Sequence, residues 1–180
     1  MAAPGCAAWA EPGRPLRLVE PAGPAGEPQA LACYGVLVRG LPPAAGATTE
    51  SADDLWLRFV DGRPISEITT QFLRWCGARA TARGLTTLVW VWDNASWHRS
   101  RAVRASLRAH NRIAHRTGGT KIVPCWLPVT SPWLNPIEAT WTHGKRRVVE
   151  PARLLTTEEL EQRVYAALGA AHADHRSLPH

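Results

Sequence analysis

The run Leu85-Thr86-Thr87-Leu88-Val89-Trp90-Val91-Trp92 constrains the fold more than any other stretch of the chain. It is uncharged, short, rich in β-branched residues, and stops at Asp93-Asn94. Such a run reads as a central strand buried on both faces. The flanking segments have the spacing of the helices that would cover it. Upstream, Ser66 is placed to cap a helix reaching about Arg83, with Ile68, Phe72, Trp75, Cys76 and Arg79 on one face and Gly84 at its end. Downstream, a helix is expected from about Trp97 to His110, with Val103 and Leu107 inward. Gly118-Gly119 then turns the chain into a second short strand, Lys121 to Trp126.

Two further strands precede this unit. Gln29 to Arg39 reads as a buried strand, and in Asp54 to Val60 the side chains of Leu55, Leu57 and Phe59 alternate with Trp56 and Arg58. The two suit an antiparallel pair. After the second unit, Ile137, Trp141, Gly144 and Val148 share a helix face. Thr156-Thr157-Glu158-Glu159 offers a capping box, and Leu160, Val164, Ala167, Leu168 and Ala171 point inward from a last helix. The order strand, strand, helix, strand, helix, strand, helix, helix predicts a mixed α/β domain. Residues 1–29, rich in Ala, Pro and Gly, read as loop with a short edge strand at Arg17-Leu18-Val19, and His172 to His180 as a loose tail.

At 180 residues the chain suffices for one domain with a real core. No apolar run is long enough to span a bilayer, and the N-terminus lacks the pattern of a signal peptide. Cys6, Cys33, Cys76 and Cys125 are far apart, with no C-x-x-C spacing, which fits reduced thiols in a cytoplasmic protein better than a disulfide framework or zinc site. The net charge of +6 is unevenly spread. Residues 1–90 carry eight basic and eight acidic side chains, whereas residues 91–149 carry ten basic side chains and two acids, Asp93 and Glu138. A segment this basic attracts polyanions. Arg101, Arg104 and Arg108, with Arg112 beyond them, form a helical stripe that is either a solvated face or a phosphate-contacting one. Lys145-Arg146-Arg147 lies near the end of the third helix.

The two acids need a reason to be there. Glu138 stands in Asn135-Pro136-Ile137-Glu138, where Asn135 suits the N-cap, Pro136 the first helical position and Glu138 the residue that reaches back to the cap. Asp93 ends a buried strand, and Glu138 opens the helix after the next one, with forty-four residues between them. Ligand sites of open α/β sheets form beyond the strand C-termini, so the two carboxylates are placed to meet there. Hard oxygen donors in a basic setting suit Mg²⁺ or Mn²⁺.

Two motifs carry a family resemblance. Val91-Trp92-Asp93-Asn94-Ala95-Ser96-Trp97-His98-Arg99-Ser100, followed by Leu127-Pro128-x-x-Ser131-Pro132-Trp133-Leu134-Asn135-Pro136-Ile137-Glu138-x-x-Trp141 and Lys145, resembles the DDE-superfamily transposases of bacterial insertion sequences, in the branch related to mariner elements. The resemblance covers about residues 9–150; residues 151–180 would be a C-terminal helix and tail. It implies an RNase H-like mixed sheet with flanking helices, and DNA cleavage and strand transfer at transposon ends. It implies three acids holding two Mg²⁺ or Mn²⁺ ions, of which Asp93 is the second acid and Glu138 the third. It gives Asn94, His98 and Asn135 supporting roles, orienting ligands or DNA, although His98 reads equally as a packed core histidine. Arg101, Arg104, Arg108, Lys145, Arg146 and Arg147 become DNA contacts.

The chain departs from the family at its start. The family's first acid precedes the segment matched here by Trp9 to Pro15, and the eight residues before Trp9 contain no acid and no strand pattern. Glu11, Glu20, Glu27, Asp53 and Asp54 fall in expected turns or loops. The expectation is therefore an RNase H-like domain lacking its first, central strand, with a rearranged or weakened sheet. Partners implied are transposon-end and target DNA, an N-terminal half encoded upstream, and a second copy in a homodimer. The alternative is a DNA-binding fragment without catalysis.

Overall fold

Two strand pairs and four helices make up the computed structural model, which describes residues 31–40, 53–129, 131–148 and 155–171. Strands β1 (Leu31–Val38) and β2 (Asp54–Asp61) pair antiparallel, with Leu31 opposite Asp61 and Val38 opposite Asp54. Helix α1 (Ser66–Ala82) leads to β3 (Thr87–Trp92), helix α2 (Arg101–Thr117) and β4 (Lys121–Trp126). A short 3₁₀ turn, Pro132–Leu134, precedes helices α3 (Ile137–Val148) and α4 (Thr157–Leu168). Strands β3 and β4 pair parallel through the α2 crossover, with Thr87 opposite Lys121 and Trp92 opposite Trp126. The mixed α/β class and the antiparallel pairing of β1 and β2 hold. Among the described residues, however, the strands form two separate two-stranded sheets. The turn, edge strand and tail expected in residues 1–29 and 172–180 lie outside the described residues.

Strand β2 is covered on both sides, which its alternation explains. Leu55, Leu57 and Phe59 meet Ile137 and Val148 of α3 and Val164 and Tyr165 of α4. Trp56 and Val60 face α1 with Ala32, Tyr34 and Val38 of β1. Helix α1 ties the two sheets together, because the Phe72 ring lies 5.5 Å from Tyr34 on β1 and 6.0 Å from Trp90 on β3. Asp54, expected in a loop, is the first residue of β2, where its carboxylate accepts from Trp56 Nε1 and pairs with Arg83, both at 2.7 Å.

Three expectations are corrected. Ser66 is not the cap of α1 but its first residue; Ile65 holds the cap position without a side-chain bond. Its peptide groups are satisfied instead by Tyr34: Ile65 N donates to the phenol oxygen at 3.1 Å, and the phenol donates to the Ile65 carbonyl at 3.3 Å. This bracing of the cap residue, not of the helix's own free N–H groups, comes from a side chain thirty-one positions away, beyond any local pattern. Helix α2 begins after Ser100, whose hydroxyl accepts from Val103 N at 3.2 Å, and runs to Gly118, which closes it at φ +72°. It starts late because Ser100 is extended, at φ −60° and ψ 155°, and breaks the helix from the turn before it, in which the His98 and Arg99 N–H groups donate to the Ala95 carbonyl. Finally, β3 is buried on one face only. Trp90 and Trp92 point into the core, while Val89 is 67% exposed and Val91 and Val123 beside it are also open. Among the described residues, no helix packs on that second face.

Gly35 of β1 sets how closely α3 approaches the sheet. A Cβ at this position would lie 2.6 Å from the Trp141 ring. At the far side, the Asn111 side chain of α2 donates to the Ile122 carbonyl and accepts from Ile122 N, both at 2.8 Å, so it occupies the outer edge of β4 as a strand would.

Candidate functional site

Parallel pairing makes β3 and β4 end at the same edge, and both sequence motifs begin there. Leu127 N donates to the Trp92 carbonyl at 3.0 Å, extending the ladder one step beyond the strands. Asn94 Nδ2 donates to the Leu127 carbonyl at 2.7 Å. The loop carrying Asp93 and the loop leading to Glu138 are thereby joined at their roots, and Asn94 acts on backbone.

Asp93 is held by its own loop. Ala95 N donates to Asp93 Oδ1 at 3.0 Å, and His98 Nδ1 lies 2.8 Å from the same oxygen. An ionised carboxylate only accepts, so the His98 proton belongs on Nδ1. Both bonds fall on Oδ1, and Oδ2 has no protein partner among the described residues. The Asp93 side chain is 53% exposed, so the carboxylate faces solvent with one oxygen anchored. His98 is anchored in turn by stacking on Trp92, with ring centroids 5.0 Å apart and planes within 12°. Trp126 stacks against Trp92 at 4.7 Å. The indole of Trp92 is 5% exposed. Sequence reading missed this stack, although its signal was present: the two paired strands end at Trp92 and Trp126, opposite one another.

Glu138 is half-buried in the first turn of α3. Its N–H donates to the Asn135 carbonyl at 3.0 Å, so the entry to the helix is a backbone turn. The expected capping box is absent among the described residues: Pro136 lies in the turn before the helix, and neither Asn135 nor Glu138 makes a side-chain cap bond there. Thr156 and Glu159 do form a complete box at α4. The Glu138 carboxylate therefore has no structural bond to maintain among the described residues. No hydrogen bond joins Glu138 or Asn135 to the Asp93 loop among those residues either; the link between the motifs is Asn94.

The basic side chains lie on the exposed surfaces of two helices. Arg101, Arg104, Arg108, Arg112 and Arg116 are all exposed on α2, a helix without a single acid. Lys145, Arg146 and Arg147 are exposed in the last turns of α3. None of these eight forms a salt bridge among the described residues.

Among the described residues, no three His, Cys, Asp or Glu side chains gather in a cation-binding group. Asp93, on the loop after β3, and Glu138, in the first turn of α3, are nevertheless donors of the kind Mg²⁺ takes from a protein, namely one or two carboxylates supplemented by water and substrate phosphate. The thiols stay out of this chemistry. Cys33 and Cys76 are pushed above the usual thiol range by burial, and Cys125, though exposed, is unpaired. No helix among the described residues is long and apolar enough to cross a membrane.

A family model described as "DDE superfamily endonuclease" matches residues 44–161, a span that contains both motifs. No curated protein and no solved structure matches the chain.

Proposed function

The chain belongs to the DDE superfamily of endonucleases, and on that premise we propose that it is the catalytic portion of a transposase of the bacterial insertion-sequence type related to mariner elements, cutting and joining DNA at transposon ends. Asp93 and Glu138 are the proposed ligands of Mg²⁺ or Mn²⁺. The observation that carries the reading is the junction of the two motif loops by Asn94 at the carboxyl edge of a parallel strand pair. Asp93 Oδ2 and the Glu138 carboxylate are the acceptors left without protein partners among the described residues. A bound divalent ion supplies positive charge at the phosphate under attack. The chain's own part is to bind and aim. His98 and Ala95 N fix the Asp93 carboxylate, Asn94 fixes the loop spacing, and the α2 arginines with Lys145, Arg146 and Arg147 hold the DNA backbone.

A second reading has its own support. The β1 and β3 edges have no strand partner among the described residues, and no three candidate ligands gather among them. A strand between those edges would unite the sheets in an RNase H-like order and, if acidic, complete the ligand set. Supplied from an upstream-encoded half, it would make the domain an enzyme; without it the chain binds DNA and does not cut.

Mn²⁺ binding followed by electron paramagnetic resonance, together with nicking of supercoiled DNA, tests the proposal. Asp93→Asn and Glu138→Gln should each weaken Mn²⁺ binding at least about tenfold, the loss seen even when a residue that only supports a metal ligand is changed. Unchanged Mn²⁺ binding in both variants would sink the ligand assignment. Nicking by the purified chain with Mg²⁺ would decide for the enzyme, and salt-sensitive DNA binding without nicking for the second reading.

A further inference from the structure

Trp133 is 73% exposed, the most open of the exposed large hydrophobic side chains among the described residues. It sits in the 3₁₀ turn five residues before Glu138, and its neighbour Leu134 is also half-exposed. The other exposed tryptophan among the described residues, Trp97, is partly covered, with its ring edge-on to His98 at 5.7 Å. An indole left largely in water beside a second exposed apolar side chain forgoes hydrophobic stabilisation unless something docks on it.

Charge decides what that something is. The segment from Val91 to Val149 carries ten basic side chains and two acids, and the exposed cations of α2 and α3 have no ion-pair partners among the described residues. A second copy of the chain would bring the same positive excess to the contact. A nucleic acid brings phosphates for the cations and flat apolar faces for the indole. Intact duplex hides those faces in its stack, and only an unpaired or splayed base offers one.

We propose that Trp133 is a base-stacking residue: its exposed indole takes an unpaired base of the DNA next to the phosphate positioned at Asp93 and Glu138. The inference rests on the DNA reading above and adds to it a preference for locally melted DNA. The stacking face is sequence-tolerant, so Trp133 sets DNA structure rather than base identity as what is recognised. Its place on the loop that enters α3 links base docking to the position of Glu138.

The test uses the full chain and two DNA probes, a blunt duplex and the same duplex with a three-nucleotide unpaired extension carrying 2-aminopurine at the junction. Wild type should bind the extended probe about tenfold more tightly than the blunt one and quench 2-aminopurine, in line with the cost of losing one base–aromatic stack. Trp133→Ala should bring the two affinities together while leaving blunt-duplex affinity and its salt slope unchanged. Trp133→Phe should keep most of the preference. Because the side chain is exposed, circular dichroism should show all three proteins folded alike. Equal preference in wild type and Trp133→Ala overturns the proposal. So does a change confined to self-association in sedimentation, which would make Trp133 a contact between copies. Salt-dependent duplex binding with no preference for the extension removes the stacking role alone; absence of binding to either probe removes the DNA reading with it.

Discussion

Asn94 on the loop after β3 donates its side-chain amide to the Leu127 carbonyl after β4, 2.7 Å away. One hydrogen bond thus connects the residue next to Asp93 with the start of the segment that ends at Glu138. Asn94→Ala leaves that half-buried carbonyl without its donor and should cost about 1 kcal/mol of stability. The sharper effect is expected on the site, where Mn²⁺ affinity should fall although no proposed ligand has been removed. Thermal denaturation and Mn²⁺ titration of the same variant separate the two.

The α2 arginines predict a salt signature. If Arg101, Arg104 and Arg108 each neutralise a phosphate, replacing all three with Ala should flatten the plot of log binding constant against log salt by about 0.9 per contact, or roughly 2.7 in total. All three are exposed, so the fold should be unaffected. A variant with the wild-type slope would return the stripe to an ordinary solvated helix face.

Gly35 predicts a packing limit. A methyl group there would press on Trp141 and Leu57, at 2.6 and 2.7 Å from ring and side-chain atoms. Gly35→Ala should cost about 1–3 kcal/mol, the usual range for overpacking. It should also shift α3, and with it Glu138. Urea unfolding gives the first quantity. Loss of Mn²⁺ affinity in the folded variant, in step with the stability change, would report the second.

Alkaline pH should loosen the fold. Burial raises the Cys76 thiol well above its ordinary 9.0. The Cys33 thiol is raised by burial and, secondarily, by the Glu161 carboxylate. Tyr34, which bonds to Ile65 before α1, is raised by burial from 10.0. A group whose pKa is higher in the folded state contributes its stability fully below the unfolded value and loses it as pH rises towards the folded one. The melting temperature should therefore be insensitive to these groups below pH 9 and fall above it. Cys33→Ala/Cys76→Ala should remove the part of the fall that begins near pH 9, leaving the part due to Tyr34. An identical alkaline profile in the double variant would reject the assignment.

Element types were legible in the sequence wherever one local pattern carried them. The Lys121–Trp126 strand, the Thr156–Glu159 capping box and the inward placing of Val103 and Leu107 all depend on spacing within a few residues. The failures were of another kind. The start of α1 lacks a side-chain cap and is braced at Ile65 by Tyr34, and the N-terminal turn of α2 yields to the loop that holds Asp93. At Asn135 and Glu138 a cap pattern is present without the cap. In each case a contact or loop geometry outranked a local preference worth only about 1 kcal/mol.

By itself the sequence determined the α/β order, the uneven charge and the two acids that stand alone in a basic segment, because each is a property of neighbouring residues or of composition. Only the tertiary structure decided that the first two strands pair antiparallel, that the strands of the described residues form two pairs, that one face of β3 is open, that among those residues Asp93 is gripped through Oδ1 by Ala95 N and a histidine stacked on Trp92, and that Asn94 ties the two motifs together. Those facts depend on which groups satisfy one another across dozens of residues. Hydrogen-bonding capacity is written in the sequence, but the choice of partner is made by the fold.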